Sequence, residues 1–158
     1  MNEQLPQYAS EIVGFFKRIG LEVDQCELLE ETFLPGIAVK KGRLRVDPAK
    51  LKYPGDLLHE AGHLAVIPPE ERQQAGDDFA GNGGNEMAAI AWSYAACMHL
   101  DLPLEMLFHE TGYKGDARWL SETYSAGSYI GLPMLVWRGM ANETGVDAYP
   151  EMRHWLCL

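Results

Sequence analysis

The residues of this sequence best suited to chemistry are two histidines four positions apart, His59 and His63, with Glu60 directly after the first. On a helix, residues four apart project from one face about one turn apart, so two imidazoles can reach a single zinc ion. A carboxylate beside them can reach a zinc-bound water, whose pKa the metal lowers toward neutrality. The pattern predicts a zinc hydrolase in which His59 and His63 hold the metal and Glu60 is the general base.

A catalytic zinc needs three protein ligands and one open position, so one more ligand is expected outside this segment. We predict that it is Glu86, near the start of an alanine-rich segment. If that segment is helical, the positions that share a face with Glu86 are small or apolar: Ala89, Ile90, Ser93 and Cys97. A carboxylate that points into the protein is costly unless it is paired or bound to a metal, and a role as metal ligand satisfies it.

Each of these assignments has an alternative. His59 and His63 can be polar residues on a packing helix, hydrogen-bonded to their neighbours. Glu86 can be a glutamate that stabilises the positive end of a helix dipole. Asp77 or Asp78 can be the third ligand instead, and either of them, or a backbone carbonyl, can accept a hydrogen bond from a ligand imidazole.

At these residues the chain resembles the gluzincins, the thermolysin-like clan of zinc metallopeptidases. In that clan an HExxH helix carries two histidine ligands and the general base, and a glutamate preceded by asparagine on a following helix is the third ligand. Here the segment from His59 to His63 matches the first element and Asn85-Glu86 matches the second. The resemblance covers about residues 36 to 100. It implies a zincin-like fold, zinc-dependent peptide hydrolysis, and a strand edge before the HExxH helix that aligns the substrate.

The chain lacks the metzincin motif and differs from the thermolysin-like motif at one position. The metzincin motif requires glycine and histidine at positions 66 and 69, where this chain has Val66 and Pro69. Thermolysin-like enzymes place an aspartate four residues after the glutamate ligand to orient a zinc histidine, and here that position is Ile90.

A hydrolase also needs a donor to the developing oxyanion. The sequence offers several without choosing among them: His109, Tyr113, Tyr124, Tyr129 and His154.

The ligands require two helices, and the sequence predicts both. Pro54 suits the first turn of a helix that contains His59 and His63, and Pro68-Pro69 ends it. A glycine-rich loop over residues 76–84 leads into a helix over residues 85–100, with Asn85 as its cap. Hydrophobic spacing predicts further helices over residues 5–19, 103–109, 117–128 and 132–140, an extended stretch over 26–33 and a β-hairpin over 36–46.

Together these elements predict a mainly helical α+β fold, with one zincin-like domain over residues 1–158. A small N-terminal antiparallel β-hairpin or sheet packs beside the HExxH helix and the second ligand helix. Small residues near the histidines, Ala61, Gly62 and Ala65, leave room for another element to pack closely on that helix. We also expect the four tryptophans to be core residues: Trp92, Trp119, Trp137 and Trp155.

The composition excludes several classes of function. A chain of 158 residues with 47% hydrophobic residues is an ordinary globular protein, without the roughly 20-residue apolar run of a membrane helix. A net charge of −10 would repel a nucleic acid. Cys26, Cys97 and Cys157 lack CxxC spacing, which predicts free core thiols, and the N-terminus lacks a secretion signal, which predicts a cytoplasmic protein.

The sequence therefore favours a zinc metallopeptidase that acts on a peptide or protein substrate, with no nucleic-acid or membrane partner and no prediction of oligomeric state. One alternative is a non-catalytic zinc-binding or partner-binding regulatory module that keeps a zincin-like fold. Another is zinc-dependent hydrolysis of a non-peptide amide. The presence of Glu60 favours an enzyme, because a structural metal site has no use for a base at that position.

Overall fold

The computed structural model of the protein describes residues 4–76 and 83–158. The helices of this part of the chain are α1 (Ala9–Ile19), α2 (Gly55–Ala65), α3 (Pro69–Arg72), α4 (Gly83–His99), α5 (Leu104–Leu107), α6 (Ala117–Ser125) and α7 (Leu132–Trp137), with a 3-10 turn at Tyr113–Gly115. The strands are β1 (Val23–Gln25), β2 (Ile37–Lys40) and β3 (Arg43–Val46). The fold is α+β and mainly helical, as predicted.

The strands form one small sheet in the order β1-β3-β2. β2 and β3 are the predicted hairpin, and their turn residues Lys41 and Gly42 have φ angles of 50° and 75°. A two-residue turn of this kind matches the natural twist of the two strands. β1 runs parallel to β3 and lies before residues 26–33, which the sequence predicts to be extended but which contain no strand. There the Asp47 carboxylate, instead of a neighbouring strand, accepts the N–H of Leu28 at 2.9 Å.

α1 covers one side of the core with Ile12, Phe15 and Phe16, which are buried at helical spacing. Gly20 ends the helix in the left-handed conformation, with φ of 99°. Glycine adopts that conformation without steric strain, so the predicted end of the helix is confirmed. The helix begins at Ala9 instead of residue 5, because Tyr8 has a φ of 72° and interrupts the helical geometry.

α2 and α4 pack against each other and carry the predicted metal ligands. From Ala88 to Cys97 every residue of α4 is buried, as expected for a helix that is apolar or small on all sides. α4 begins at Gly83, so Asn85 lies within its first turn and the prediction of Asn85 as the cap is wrong. Two glycines disfavour a helix by about 1 kcal/mol each, which is why the sequence pattern places the start too late. Residues 77–82 of the predicted loop lie outside the described residues.

Arg72 fixes the C-terminal end of α2. Its guanidinium donates to the carbonyl oxygens of Leu64 at 2.8 Å, Ile67 at 2.9 Å and Cys157 at 3.0 Å. The Cys157 N–H in turn donates to the Ala65 carbonyl at 2.8 Å. Carbonyls at the end of a helix have no partner within it, so these bonds satisfy them and anchor the end of the chain to the histidine helix.

The C-terminal half differs from the prediction in helix length and in two tryptophans. α6 and α7 end before Gly127 and Gly139, whose φ angles of 83° and 73° are incompatible with a continuing helix. Trp119 and Trp137 are 54% and 75% exposed, so the prediction that all four tryptophans are core residues is wrong.

The three cysteines are free thiols, and two of them are buried. Across the described residues, the helices all lack the length and apolar character needed to cross a membrane.

Candidate metal centre

α2 presents the two histidines of the HExxH pattern toward one point. The Nε2 atoms of His59 and His63 are 3.3 Å apart, and the ring centroids are 4.9 Å apart with an angle of 81° between the planes. Both side chains are largely buried, with 15% and 6% of their surface exposed. The convergence follows from the four-residue spacing on a regular helix.

Glu86 reaches the same point from the first turn of α4. Its Oε1 atom lies 3.2 Å from His59 Nε2, and its Oε2 atom lies 2.8 Å from His63 Nε2. The donor atoms of the three residues all lie within 4.8 Å of one another, and this is the group among the described residues that can hold a metal ion. The structure therefore brings together the three residues that the sequence predicts as ligands.

The close approach of the two helices depends on Gly62, which lies between the two histidines. A Cβ atom at this position would be 2.7 Å from the carbonyl oxygen of Ala89 and 3.2 Å from its Cα atom. No real Cβ contact is that short against backbone, so only glycine allows α2 to lie this close to α4. The prediction that a small residue here permits close packing is confirmed for Gly62.

The distances between the donor atoms fit a single tetrahedral ion. With zinc-to-ligand bonds of about 2.05 Å, two ligands of a tetrahedral zinc are about 3.3 Å apart. The distances of 3.3 Å between the two Nε2 atoms and 3.2 Å from His59 Nε2 to Glu86 Oε1 match this value. The 2.8 Å from His63 to Glu86 is a hydrogen-bond length. The two contacts of Glu86 involve different carboxylate oxygens, Oε1 toward His59 and Oε2 toward His63.

The electrostatics of the group favour an ionised carboxylate. Burial acts to raise the pKa of Glu86, but hydrogen bonds from His59 and His63 and the charges of the two rings outweigh it, so the pKa is lowered overall. The Glu86 side chain is 38% exposed, whereas the histidines are nearly covered. The group is thus largely covered on the histidine side and partly open to solvent on the glutamate side.

Glu60 directly follows His59 on α2 and is partly exposed. Asp77 and Asp78, the alternative third ligands, lie outside the described residues. Ile90, at the position of the aspartate of thermolysin-like enzymes, is 4% exposed and belongs to the core. Ile90 therefore cannot accept a hydrogen bond from the second ring nitrogen of a ligand histidine, as the aspartate does in those enzymes.

Tyr113 lies against His59. The two ring centroids are 5.0 Å apart and the planes are perpendicular, at 90°. The Tyr113 hydroxyl and the Nδ1 atom of His59 are both buried. In the described part of the chain His59 Nδ1 has no hydrogen-bond partner, whereas the Ser93 side chain lies near enough to the Tyr113 hydroxyl to act against the rise of its pKa. Burial raises the pKa of Tyr113 well above its ordinary value, and the negative charges of Asp56 and Glu86 add to this effect. The hydroxyl therefore keeps its proton at any physiological pH.

The structure separates the five candidates for the oxyanion donor. His109 has both ring nitrogens engaged, Nε2 with Asp56 Oδ1 at 2.7 Å and Nδ1 with Thr111 Oγ1 at 2.8 Å. The Tyr124 hydroxyl donates to the Ile130 carbonyl. Tyr129 packs among other tyrosines, and His154 is exposed near the end of the chain. Tyr113 is the candidate that the structure places in contact with a predicted ligand.

Asp56 is a buried charged residue that the sequence analysis does not place in the site. It is 6% exposed in the first turn of α2, three positions before His59 and on the same face. Burial raises its pKa, while the hydrogen bond and charge of His109 oppose the shift. Asp56 lies three positions before His59, and this spacing could have linked it to the site from the sequence. Its hydrogen-bond partner, His109, lies 53 positions away and could not have been found in that way.

Comparisons of the chain with protein-family models, with curated proteins and with solved structures find no match. The geometry of His59, His63 and Glu86 is therefore the basis for assigning a function. Two imidazole nitrogens and a carboxylate that converge at tetrahedral distances, with one side open to solvent, can hold a divalent ion and leave room for a water or a substrate.

Proposed function

We propose that this protein is a zinc-dependent hydrolase with a zincin-like fold, a metallopeptidase of the gluzincin type. His59, His63 and Glu86 hold the metal, and Glu60 is the general base. The observation that carries the proposal is the convergence of two Nε2 atoms and one carboxylate at distances of 2.8 to 3.3 Å. This set of two histidines and a glutamate is typical of catalytic zinc sites, which keep one position open.

Zinc in this position supplies Lewis acidity, which lowers the pKa of a water molecule and polarises a carbonyl group. Glu60 accepts a proton from the attacking water and returns it to the leaving nitrogen as the C–N bond breaks. His59 and His63 stay neutral to coordinate through Nε2, which leaves each ring proton on Nδ1. The 38% exposure of Glu86 supports access of a substrate from that side.

The choice of a peptide as substrate rests on the gluzincin resemblance of the HExxH segment and Asn85-Glu86. A non-peptide amide would use the same groups, so substrate class is tested separately from chemistry. Zinc-loaded wild-type protein is incubated with a peptide mixture, and products are identified by mass spectrometry. New peptide termini that form with zinc and disappear with a chelator support a peptidase. If only small non-peptide amides are cleaved, the peptidase proposal is wrong and the hydrolase proposal stands.

Glu60→Gln tests the base. The amide is close in size to the carboxylate, so zinc content and stability should not change, whereas loss of the proton acceptor should reduce the rate about 100-fold to 10,000-fold. Glu70→Gln on α3, an exposed glutamate, is the matched control and should keep full activity. A Glu60→Gln protein with wild-type activity excludes Glu60 as the base. A wild type that binds zinc but cleaves nothing favours the non-catalytic module.

The third ligand is tested by comparing Glu86→Ala with Asp77→Ala and Asp78→Ala. Removing one of three protein ligands should reduce zinc retention strongly, so the Glu86 variant should lose metal during dialysis while the aspartate variants keep it. Zinc content per chain, measured by elemental analysis, decides the question. If an aspartate variant loses zinc and Glu86→Ala retains it, the ligand assignment is wrong.

A further inference from the structure

We infer that Tyr113, held in place by the pair of Asp56 and His109, is a positioning residue that fixes the ring of His59 for metal binding. The inference rests on the metal site of the proposed function. It concerns how one ligand is oriented, and it assigns the 109–113 turn a role that neither the HExxH pattern nor Glu86 supplies.

Among the described residues, an aromatic ring packs against the imidazole of His59. A metal-bound histidine normally donates its second ring N–H to a carboxylate, a carbonyl or a water, which fixes the ring. The Nδ1 atom of His59 is buried without such a partner in residues 4–76 and 83–158. The ring of Tyr113 lies perpendicular to the ring of His59, with 5.0 Å between the centroids. Packing against a flat aromatic ring restricts rotation of the imidazole in place of a hydrogen bond.

Tyr113 occupies this position in a strained backbone conformation. Its φ angle is 57° and that of Lys114 is 53°, in the left-handed region that bulky residues rarely adopt. Such strain persists only where surrounding contacts over-determine it, and it clusters at functional sites. Here the contacts are the ring packing of Tyr113 on His59 and on Phe108, at 5.0 Å and 5.3 Å, and the burial of its hydroxyl.

The pair of Asp56 and His109 holds the turn that carries Tyr113. His109 Nε2 lies 2.7 Å from Asp56 Oδ1, and its ring stacks on Tyr53 with centroids 4.1 Å apart and planes within 9°. Gly112 lies so close that a Cβ there would be 3.1 Å from the His109 ring. Asp56 belongs to α2, one turn before His59. The turn is therefore attached to the same helix that carries the ligand.

The test uses variants of the full chain that separate the ring from the hydroxyl. Tyr113→Leu removes the aromatic wall, whereas Tyr113→Phe keeps it. Tyr129→Leu is the matched control, because it removes a partly buried tyrosine ring that packs on other tyrosines and not on His59. His109→Leu releases the turn while Tyr113 stays intact. Each protein is measured for zinc affinity by competition with a chelator, and for the visible absorption of its cobalt-loaded form, which reports ligand geometry.

We expect Tyr113→Leu to weaken zinc binding about 10-fold to 100-fold, the usual effect of removing an outer-shell contact, and to change the cobalt spectrum. His109→Leu should change both in the same direction by less. Tyr113→Phe and Tyr129→Leu should keep wild-type affinity and spectrum, whatever their melting temperatures. The Phe variant thus distinguishes positioning by the ring from a role of the hydroxyl.

Folded Tyr113→Leu with the affinity and spectrum of the wild type overturns the inference and leaves the proposed function intact. If Tyr113→Leu does not fold, unchanged values for His109→Leu overturn it in the same way. A loss of affinity in Tyr113→Phe equal to that in Tyr113→Leu also overturns it, because the hydroxyl would then be the active group. A wild type that binds neither zinc nor cobalt removes the proposed function and this inference together.

Discussion

Gly62→Ala tests whether the contact between α2 and α4 sets the geometry of the metal group. The new Cβ would lie 2.7 Å from the Ala89 carbonyl oxygen, where ordinary contacts begin at 3.4 Å. A Cβ atom and a backbone carbonyl oxygen are both fixed to their helices, so no side-chain rotation relieves the clash. The two helices must therefore separate locally by up to about 0.7 Å. Glu86 moves with α4 and His63 moves with α2, so the distance between their donor atoms changes.

The effect on stability is the difference between two terms. Overpacking a tight contact costs about 1–3 kcal/mol, whereas replacing glycine by alanine within a helix gains about 1 kcal/mol. The net loss is about 1 kcal/mol, which lowers the melting temperature by roughly 3 °C in a chain of this size. Zinc binding should suffer more, because ligand distances must hold within about 0.2 Å. We expect an affinity loss of about 10-fold to 100-fold, as for other disturbances of the ligand surroundings.

The assay combines urea unfolding of the metal-free protein with zinc titration against a competing chelator. Gly14→Ala in α1 is the matched control, because a Cβ at Gly14 has Arg18 Nη1 as its nearest neighbour, at 3.5 Å. That variant should gain up to about 1 kcal/mol from helix propensity and bind zinc normally. The reasoning is refuted if Gly62→Ala is as stabilising as Gly14→Ala and keeps wild-type zinc affinity.

Three other predictions test the site and its supports. Zinc at 100 times its Kd should stabilise the protein by about 2.7 kcal/mol, and a chelator should reverse the rise in melting temperature; no shift in either direction would contradict metal binding to the folded state. Arg72→Lys leaves carbonyls at the end of α2 without partners and should cost about 1–3 kcal/mol in urea unfolding, whereas Arg118→Lys on the surface should have no measurable effect. Because burial raises the Asp56 pKa, this carboxyl favours folding below its ordinary value of 3.8 and loses that contribution as pH rises through the folded pKa. Asp56→Asn should therefore gain stability relative to wild type as pH rises above that value, and a difference independent of pH would be evidence against the shift.

The fold could be predicted where local chemistry decides it. The four-residue spacing of His59 and His63 needs only a helix to make their nitrogens converge, and the helix is bounded by prolines. The hairpin follows from the alternation of apolar and polar residues on either side of a two-residue turn, where Gly42 adopts a positive φ without strain. The small and apolar residues that share a face with Glu86 turn that face toward α2 and its histidines, although the Glu86 side chain itself stays 38% exposed. In each case the residues that determine the structure are close neighbours in the sequence.

Features that depend on distant residues could not be predicted in this way. The position of β1 depends on pairing with β3, 21 residues along the chain from Val23 to Leu44. The bond between Asp56 and His109 joins residues 53 positions apart, and nothing near either residue in the sequence indicates it. The exposure of Trp119 and Trp137 also depends on distant residues. Helical spacing shows which residues share a face, but it does not show which face another element covers.

The candidate metal group combines the local spacing of His59 and His63 with two contacts between residues that are distant in the sequence. One contact concerns Glu86 and the other concerns His59. Gly62 lets α4 approach, which sets the distance of Glu86 from both histidines. The turn that carries Tyr113 contacts α2 through Asp56 and His109, and in our proposal it orients the ring of His59. Coordination through Nε2 would place the proton of His59 on Nδ1, which is buried and has no polar partner among the residues that the structure describes, at a cost of about 1–3 kcal/mol. In the role that we propose for Tyr113, its ring offsets part of this cost by holding the imidazole in the orientation that the metal requires.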